Sequence, residues 1–291
     1  MKYNSFEELL HFKKTSKKNY EGLHISDLLK LPTFSGVYNL SFKDIKFDYL
    51  NIGNDDFGIL KFFWGGEPEY VSVCFWIDAC KMDGLCIDIG AHTGRYSVIG
   101  SICSKKNNIV SFEPYFLNYS RMLSNLRLNN ILTNNCFFSA ASSENGFKSF
   151  KIKNKDKFFH SSSGKLVSEK ESRFMVPTLK IDTLNFKSKI NAIKIDTEGH
   201  ELEVLQGSID ILKKEKPLLI IEKNEENLIS IINLLKDMSY NFYLIDDNNK
   251  KIQNLNLNKK NYLDDNYKNI ICIFKESLNN YNYLVKKYII K

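Results

Sequence analysis

Residues 86–98 read CIDIGAHTGRYSV: an apolar run carrying Asp88, then Gly90 and Gly94, then a helix beginning near Thr93. Short apolar runs without polar alternation belong to strands buried on both faces, as in a parallel sheet. The two glycines stand where strand turns sharply into helix, a place for residues that leave room for close approach. Free N–H groups at the start of such a helix favour an anionic group beside them. One such turn is a weak signal. Its repetition along the chain would make it a doubly wound sheet.

The rhythm does repeat. IVSFEP (109–114), CFFSAAS (136–142), AIKID (192–196) and PLLIIE (217–222) read as further buried strands, with NFYLID and NIICIFK as a final pair. Between them Phe116, Tyr119, Leu123 and Leu126 form one apolar stripe at helical spacing. Leu202, Leu205, Ile209 and Leu212 form a second, and Leu228, Ile231, Leu235 and Met238 a third. Strands alternating with amphipathic helices predict an open α/β sandwich over residues 81–275. A polar, Lys- and Ser-rich stretch at 143–180 interrupts it and ends in VPTLKIDTL, with period-2 alternation, which predicts an inserted hairpin or flap. Residues 1–80 form an N-terminal cap or substrate segment. Within it, residues 57–64 read as a strand, Gly65-Gly66 as a turn, and Val73, Ile77 and Cys80 as a helical stripe. Residues 276–291 read as an amphipathic helix, with Leu278, Tyr281, Leu284, Val285, Tyr288 and Ile289 on one face. Docking on the body is its expected use, and peripheral contact with a membrane surface is the alternative.

Composition narrows the class. The chain has 291 residues, enough for one sizeable core, with 43% hydrophobic and 26% charged residues, as in ordinary globular proteins. The formal charge of +7 is spread along the chain and reads as a Lys-rich solvated surface. The six cysteines form no CxxC pair, and no His stands near them at zinc-binding spacing. Several lie in apolar runs, so they are expected to be reduced, in a cytoplasmic compartment. No secretory signal or membrane-spanning stretch is visible.

Glu113 ends the second strand, 25 residues after Asp88 and 19 after Gly94. An acid at that strand tip is how nucleoside-binding folds hold ribose hydroxyls. Pro114 stops the strand, and Tyr115 follows to cover an adenine face. A pyrophosphate cradle wants G-x-G-x-x-G. Here the segment is GAHTGR, so the middle glycine is missing and His92 stands in its place. That argues against NAD and for S-adenosylmethionine (SAM), which has no pyrophosphate. Asp88 would accept from its ammonium, directly or through water.

IDIGAHTGRYSV, SFEPYFLNYSRMLSNLRLNN, AASSENG, VPTLKIDTL, KIDTEGHELEVLQGS and PLLIIE, in that order, resemble the FkbM family of methyltransferases over roughly residues 55–245. The family pattern has Asn where this chain has His92. The resemblance implies a class I Rossmann-like sheet of seven strands, the last antiparallel, with SAM across the strands' carboxyl ends. It implies a methionine-side loop from Asp88, Gly90, Ala91, His92, Thr93 and Gly94. Glu113, with Pro114 and Tyr115 beside it, would take the ribose, and Ala141 and Ser142 would border the adenine.

Methyl transfer to an alcohol needs positioning and removal of a proton. Residues 194–201, KIDTEGHE, end the fourth strand beside the first, at the sheet's crevice. Asp196 is expected to touch the SAM amino group or the acceptor, with Glu198 or His200 as general base. Asp196, Glu198 and Glu222 are an alternative magnesium site, though no metal is expected. His160 and residues 161–163 could reach over the acceptor, as could Glu67, Glu69, Tyr70 and Trp64. The expected reaction is O-methylation of a glycan, lipid-linked sugar or secondary metabolite. A nucleic-acid methyltransferase and a SAM-binding protein without catalysis are the alternatives. No NPPY-like motif and no aromatic–basic cluster supports the former.

Overall fold

The computed structural model describes residues 2–290 except 17, 21–22, 24, 54, 107, 153–163 and 173. The chain opens with α1 (Phe6–Thr15), α2 (Ile25–Leu28) and the hairpin β1 (Gly36–Phe42) and β2 (Ile45–Asn51). Helices α3 (Phe57–Gly65) and α4 (Tyr70–Lys81) lead into β3 (Leu85–Ile89), α5 (Arg95–Cys103), β4 (Ile109–Phe112), α6 (Phe116–Leu128) and β5 (Cys136–Phe137). An insertion supplies β6 (Ala140–Ala141), β7 (Gly146–Ile152), β8 (Gly164–Val167) and β9 (Met175–Leu179). The wound sheet resumes with β10 (Ile190–Ile195), α7 (Glu201–Gln206), α8 (Ile209–Glu215), β11 (Leu218–Glu222) and α9 (Leu228–Lys236). It closes with β12 (Tyr240–Asp246), β13 (Lys251–Asn254), β14 (Asn269–Phe274) and α10 (Leu278–Tyr288).

The main sheet runs β13-β12-β14-β11-β10-β3-β4-β5. From β3 the chain winds outward to β4 and β5, then crosses back to β10 and β11 on the other side. That reversal places a crevice beyond the carboxyl ends of β3 and β10. β14 lies antiparallel between β11 and β12, so the seven-strand, Rossmann-like arrangement expected of the class I fold is present, with its last strand antiparallel. An eighth strand, β13, is added at the edge by the tight turn after Asp246.

Four local expectations are corrected. Residues 57–64 are helical, not extended: Asp56 caps the helix through Ile59 N, and Ile59, Leu60, Phe62, Phe63 and Trp64 are all buried. With Lys61 its one exposed residue, the helix shows little period, so its aromatic run reads as a strand. CFFSAAS is not one strand, since β5 pairs with β4 while β6 turns away to pair with β9. The stripe 202–212 is two helices, because Gly207 lies against the Ser142 carbonyl, where a Cβ would come within 2.0 Å. And α6 turns a polar face inward: Asn118, Arg121 and Asn125 are buried while Phe116 is exposed.

That face ties the N-terminal segment to the sheet. Asn125 Oδ1 accepts from Leu50 N at 2.9 Å, and Arg121 pairs with Asp55 at 2.8 Å. One hydrophobic cluster runs from Phe6 on α1 through Trp76 on α4 to Tyr288 on α10. The first 80 residues therefore share the main core. Tyr281, Leu284, Val285 and Tyr288 of α10 are buried against the body, and among the described residues no helix is long and apolar enough to cross a membrane. The six cysteines are unpaired.

The insertion is a four-stranded sheet, β6-β9-β7-β8, with β7 and β8 as its hairpin. It packs Phe150 and Val176 over Ala140. His160 and residues 161–163 lie outside the described residues.

Candidate active site

Three strand tips are laced together at the crevice. Gly90 N and Ala91 N donate to Phe112 O of β4, and Asp196 N donates to Ile89 O of β3. Gly90 has φ +75°, and a Cβ there would stand 1.8 Å from the Asp196 carbonyl oxygen. This glycine is demanded by the neighbouring strand before any ligand arrives. At Gly94, φ +94°, a Cβ would meet Met122 of α6 at 2.8 Å.

Two cavities open on this loop. The first, of about 290 Å³, runs from Gly90 and Asp196 past Glu113 and Asn118 to Ser139, Ala140 and Ala141, and is covered by Phe150 and Leu166 of the insertion. Glu113 Oε2 accepts from His92 N and its Oε1 from Tyr115 N, both at 2.8 Å. Burial pushes its carboxyl up to about 7, against those hydrogen bonds. Asn118 Oδ1 and Ser139 Oγ, in the same cavity, are buried without a hydrogen-bond partner. Unpartnered buried polar atoms are costly unless a ligand satisfies them.

The second cavity, of about 1310 Å³, lies between the sheet and the N-terminal segment. Its wall includes Glu69, Arg95, Tyr96 and Lys194. Burial works against the Glu69 charge, yet Arg95 at 2.6 Å, Lys194 and the Tyr96 hydroxyl at 2.7 Å outweigh it and hold the carboxyl down to about 2. Burial likewise opposes the Lys194 charge, but Asp196, at 3.0 Å, with Asp88 and Glu69, raises its pKa. Phe57, Gly58, Gly90, His92 and Asp196 line both cavities, so the two meet across them.

Residues 88–242, just over half the chain, match the methyltransferase FkbM domain. This chain belongs to the FkbM methyltransferase family. A similar curated protein is the hexuronic acid methyltransferase AglP of Haloferax volcanii, 25% identical over 153 residues that cover 51% of this chain and 59% of that protein. The chain thus spans well under two thirds of that relative's length. Among solved structures, the methyltransferase FkbM from Methylobacillus flagellatus KT is 17% identical, with a TM-score of 0.44, over 75% of this chain and 53% of that one. A SAM-dependent methyltransferase from Streptococcus mutans, described as putative in its own name, is 12% identical, with a TM-score of 0.44, over 81% and 54%.

The FkbM segments are gathered unevenly. Gly90, His92, Glu113, Pro114, Ala141, Asp196, Glu198 and His200 line the first cavity, while Ala91 and Thr93 line only the second. Asp88 lines neither. Strand alternation turns it beneath α5, where Ser97 donates to its Oδ2 at 2.6 Å and its Oδ1 is buried without a partner. Tyr115 lines neither cavity; it stacks on Phe150, which covers the cavity in its place. Ser142 also stays off the wall and meets His200 Nε2 at 3.0 Å. His200 is therefore held at the Ala141 end, away from the second cavity, with Glu203 3.5 Å from its Nδ1.

The turn carrying Glu198 is pinned by Glu201, fully buried, whose Oε1 accepts from Thr197 N, Thr197 Oγ1 and Gly199 N. Glu198, at φ +57°, donates its N–H to Glu222. Burial, with Asp196, Glu198 and Glu201 nearby, pushes Glu222 up to about 9. Among the described residues no group of three or more His, Cys, Asp or Glu side chains is disposed to hold a metal ion.

Sequence reading missed Asn118 and Ser139 as unpartnered groups on the first cavity, and Glu69, Arg95 and Lys194 as one charge cluster. Asn118 and Lys194 stand inside quoted motifs, three and two positions from named site residues. The cluster joins the start of α4, α5 and β10 and has no local signal.

Proposed function

We propose that this chain is a SAM-dependent O-methyltransferase whose acceptor is a hydroxyl on a sugar of a glycan or lipid-linked saccharide. The observation that carries the reading is that a small cavity with an acid at each of two strand tips, Glu113 and Asp196, meets a chamber several times larger across His92 and Asp196. Glu113 suits ribose hydroxyls, since its carboxylate keeps lone pairs beyond the two backbone bonds. Asn118 Oδ1 and Ser139 Oγ are acceptor and donor for the base edge, with Phe150 and Leu166 over its face. Asp196 at the junction suits the amino end. When bound, SAM supplies an electrophilic methyl group. The chain's own contribution is to hold that group at the junction, exclude water with the insertion and the N-terminal segment, and orient one acceptor hydroxyl. Hexuronic acids are the acceptors to try first, as the named relative's substrate class.

The test incubates the full chain with methyl-labelled SAM and a panel: D-glucuronate, its methyl glycoside, a nucleotide-linked hexuronic acid, neutral hexosides, lipid extract, RNA and DNA. Alkali-stable label on a saccharide, as expected of a methyl ether, supports the reading. Label confined to nucleic acid overturns it. SAM binding with no transfer to any class would favour a binding protein without catalysis.

A further inference from the structure

Five residues separate the two cavities, and only His92 and Asp196 among them carry a group able to take a proton. Asp196 Oδ2 is already occupied by the Lys194 ammonium at 3.0 Å. His92 is different. Its backbone sits at φ +53°, a left-handed conformation that few non-glycine residues adopt, with Asn, Asp and His the usual exceptions. The turn is fixed from below, because His92 N donates to the Glu113 carboxyl.

The ring's proton can be assigned from its neighbours. His92 Nδ1 lies 3.2 Å from Thr93 Oγ1. That hydroxyl donates its single hydrogen to Asp56 Oδ2 at 2.5 Å and accepts from Tyr49 OH at 2.9 Å. With its hydrogen committed, Thr93 can only accept from the imidazole. A neutral His92 therefore carries its proton on Nδ1, and the Nε2 lone pair is left over. No hydrogen bond to Nε2 is formed among the described residues, and His92 lines both cavities.

We propose that His92 Nε2 is the general base that removes the acceptor's proton, with Thr93 and Asp56 as positioning residues; this rests on the O-methylation reading. The acceptor's O–H bond breaks and its proton goes to Nε2. An O–CH3 bond forms, and the S–CH3 bond breaks with its electron pair left on sulfur. The imidazolium that results keeps Nδ1–H on Thr93, with Asp56 behind it to balance the charge. Burial lowers the pKa of His92, and Arg95 and Lys194 do the same, against Asp56 and Asp196, so the base form is present at neutral pH. The Glu113 carboxyl accepts from the His92 N–H, and the Tyr49 hydroxyl reaches the same Thr93.

The test uses His92→Asn in the full chain. Asn tolerates the left-handed turn and keeps an amide N–H toward Thr93, but has nothing at the position of Nε2. Calorimetric affinity for S-adenosylhomocysteine is expected within about threefold of wild type. Methyl transfer to the methyl glycoside of glucuronate is expected to fall by about 10²–10⁴. Nitrogen NMR of the imidazole in the unsubstituted chain with S-adenosylhomocysteine is expected to show the proton on Nδ1. A proton on Nε2, an alkali-labile methyl ester as product, or transfer by His92→Asn within about threefold of wild type overturns the assignment. If wild type labels no panel member, the O-methylation reading fails instead, and the imidazole spectrum decides His92's geometry alone.

Discussion

Glu113 shows how a residue can be found by spacing and still hold something spacing does not state. An acid 19 residues past Gly94 reads as a ribose holder, and the folded chain does put it on the first cavity. Its carboxyl, however, lies near pH 7 because burial outweighs the two backbone bonds it accepts. The sign follows from the proposed role: the ionised form is the one to accept from ribose hydroxyls, and lowering the pH through about 7 removes it. Affinity for S-adenosylhomocysteine is expected to be level above pH 8 and to fall below pH 7, by up to about tenfold per unit. Glu113→Gln should bind weakly at pH 8 and show no such slope. A wild-type calorimetric profile flat from pH 6 to 8 would contradict this. Asp88 stands near the end of the neighbouring strand, β3, where the period of two turns it under α5 to Ser97, and a strand's inner and outer faces are not distinguishable in sequence when both are apolar.

At the scale of elements, legibility tracked whether burial was one-sided. α9 and α10 bury one stripe each and could be read from their periods. α3 buries five of its nine residues and leaves only Lys61 exposed, so its period is hard to read. α6 was legible as a helix but not in its orientation, since its inward face is built from Asn118, Arg121 and Asn125 and its partners lie in the N-terminal segment. The consequence is measurable. Arg121 reaches both the Leu50 carbonyl and the Asp55 carboxylate, with 4% of its own side chain exposed. Arg121→Met leaves Asp55 buried beside an apolar group, and breaking a buried pair in this way costs about 3–5 kcal/mol. The urea midpoint should drop accordingly. A shift under about 1 kcal/mol, the size of an exposed pair, would mean that the pair is solvated in practice.

For the molecule as a whole, α/β winding was readable because each βα unit is local, whereas the joining of cap, sheet and tail into one core depends on contacts far apart in sequence. Residues 1–80, read as a cap or substrate segment, contribute Phe6, Tyr38 and Trp76 to the same cluster as the last helix. That cluster decides between the two uses of α10. Its apolar face is already spent on the body: Tyr281 packs near Phe75, Tyr70 meets Tyr288, and Ile290 N donates to Ile252 O at the sheet edge. Burying a large side chain is worth about 1.5–3 kcal/mol, and four are lost if the chain stops at residue 277. Against a total of about 5–15 kcal/mol, that truncation should lower the melting temperature by roughly 10 °C or more. A helix held in reserve for a membrane would be dispensable to the fold. Its removal would leave the melting temperature where it was and instead abolish binding to anionic vesicles, the result that would reverse the assignment.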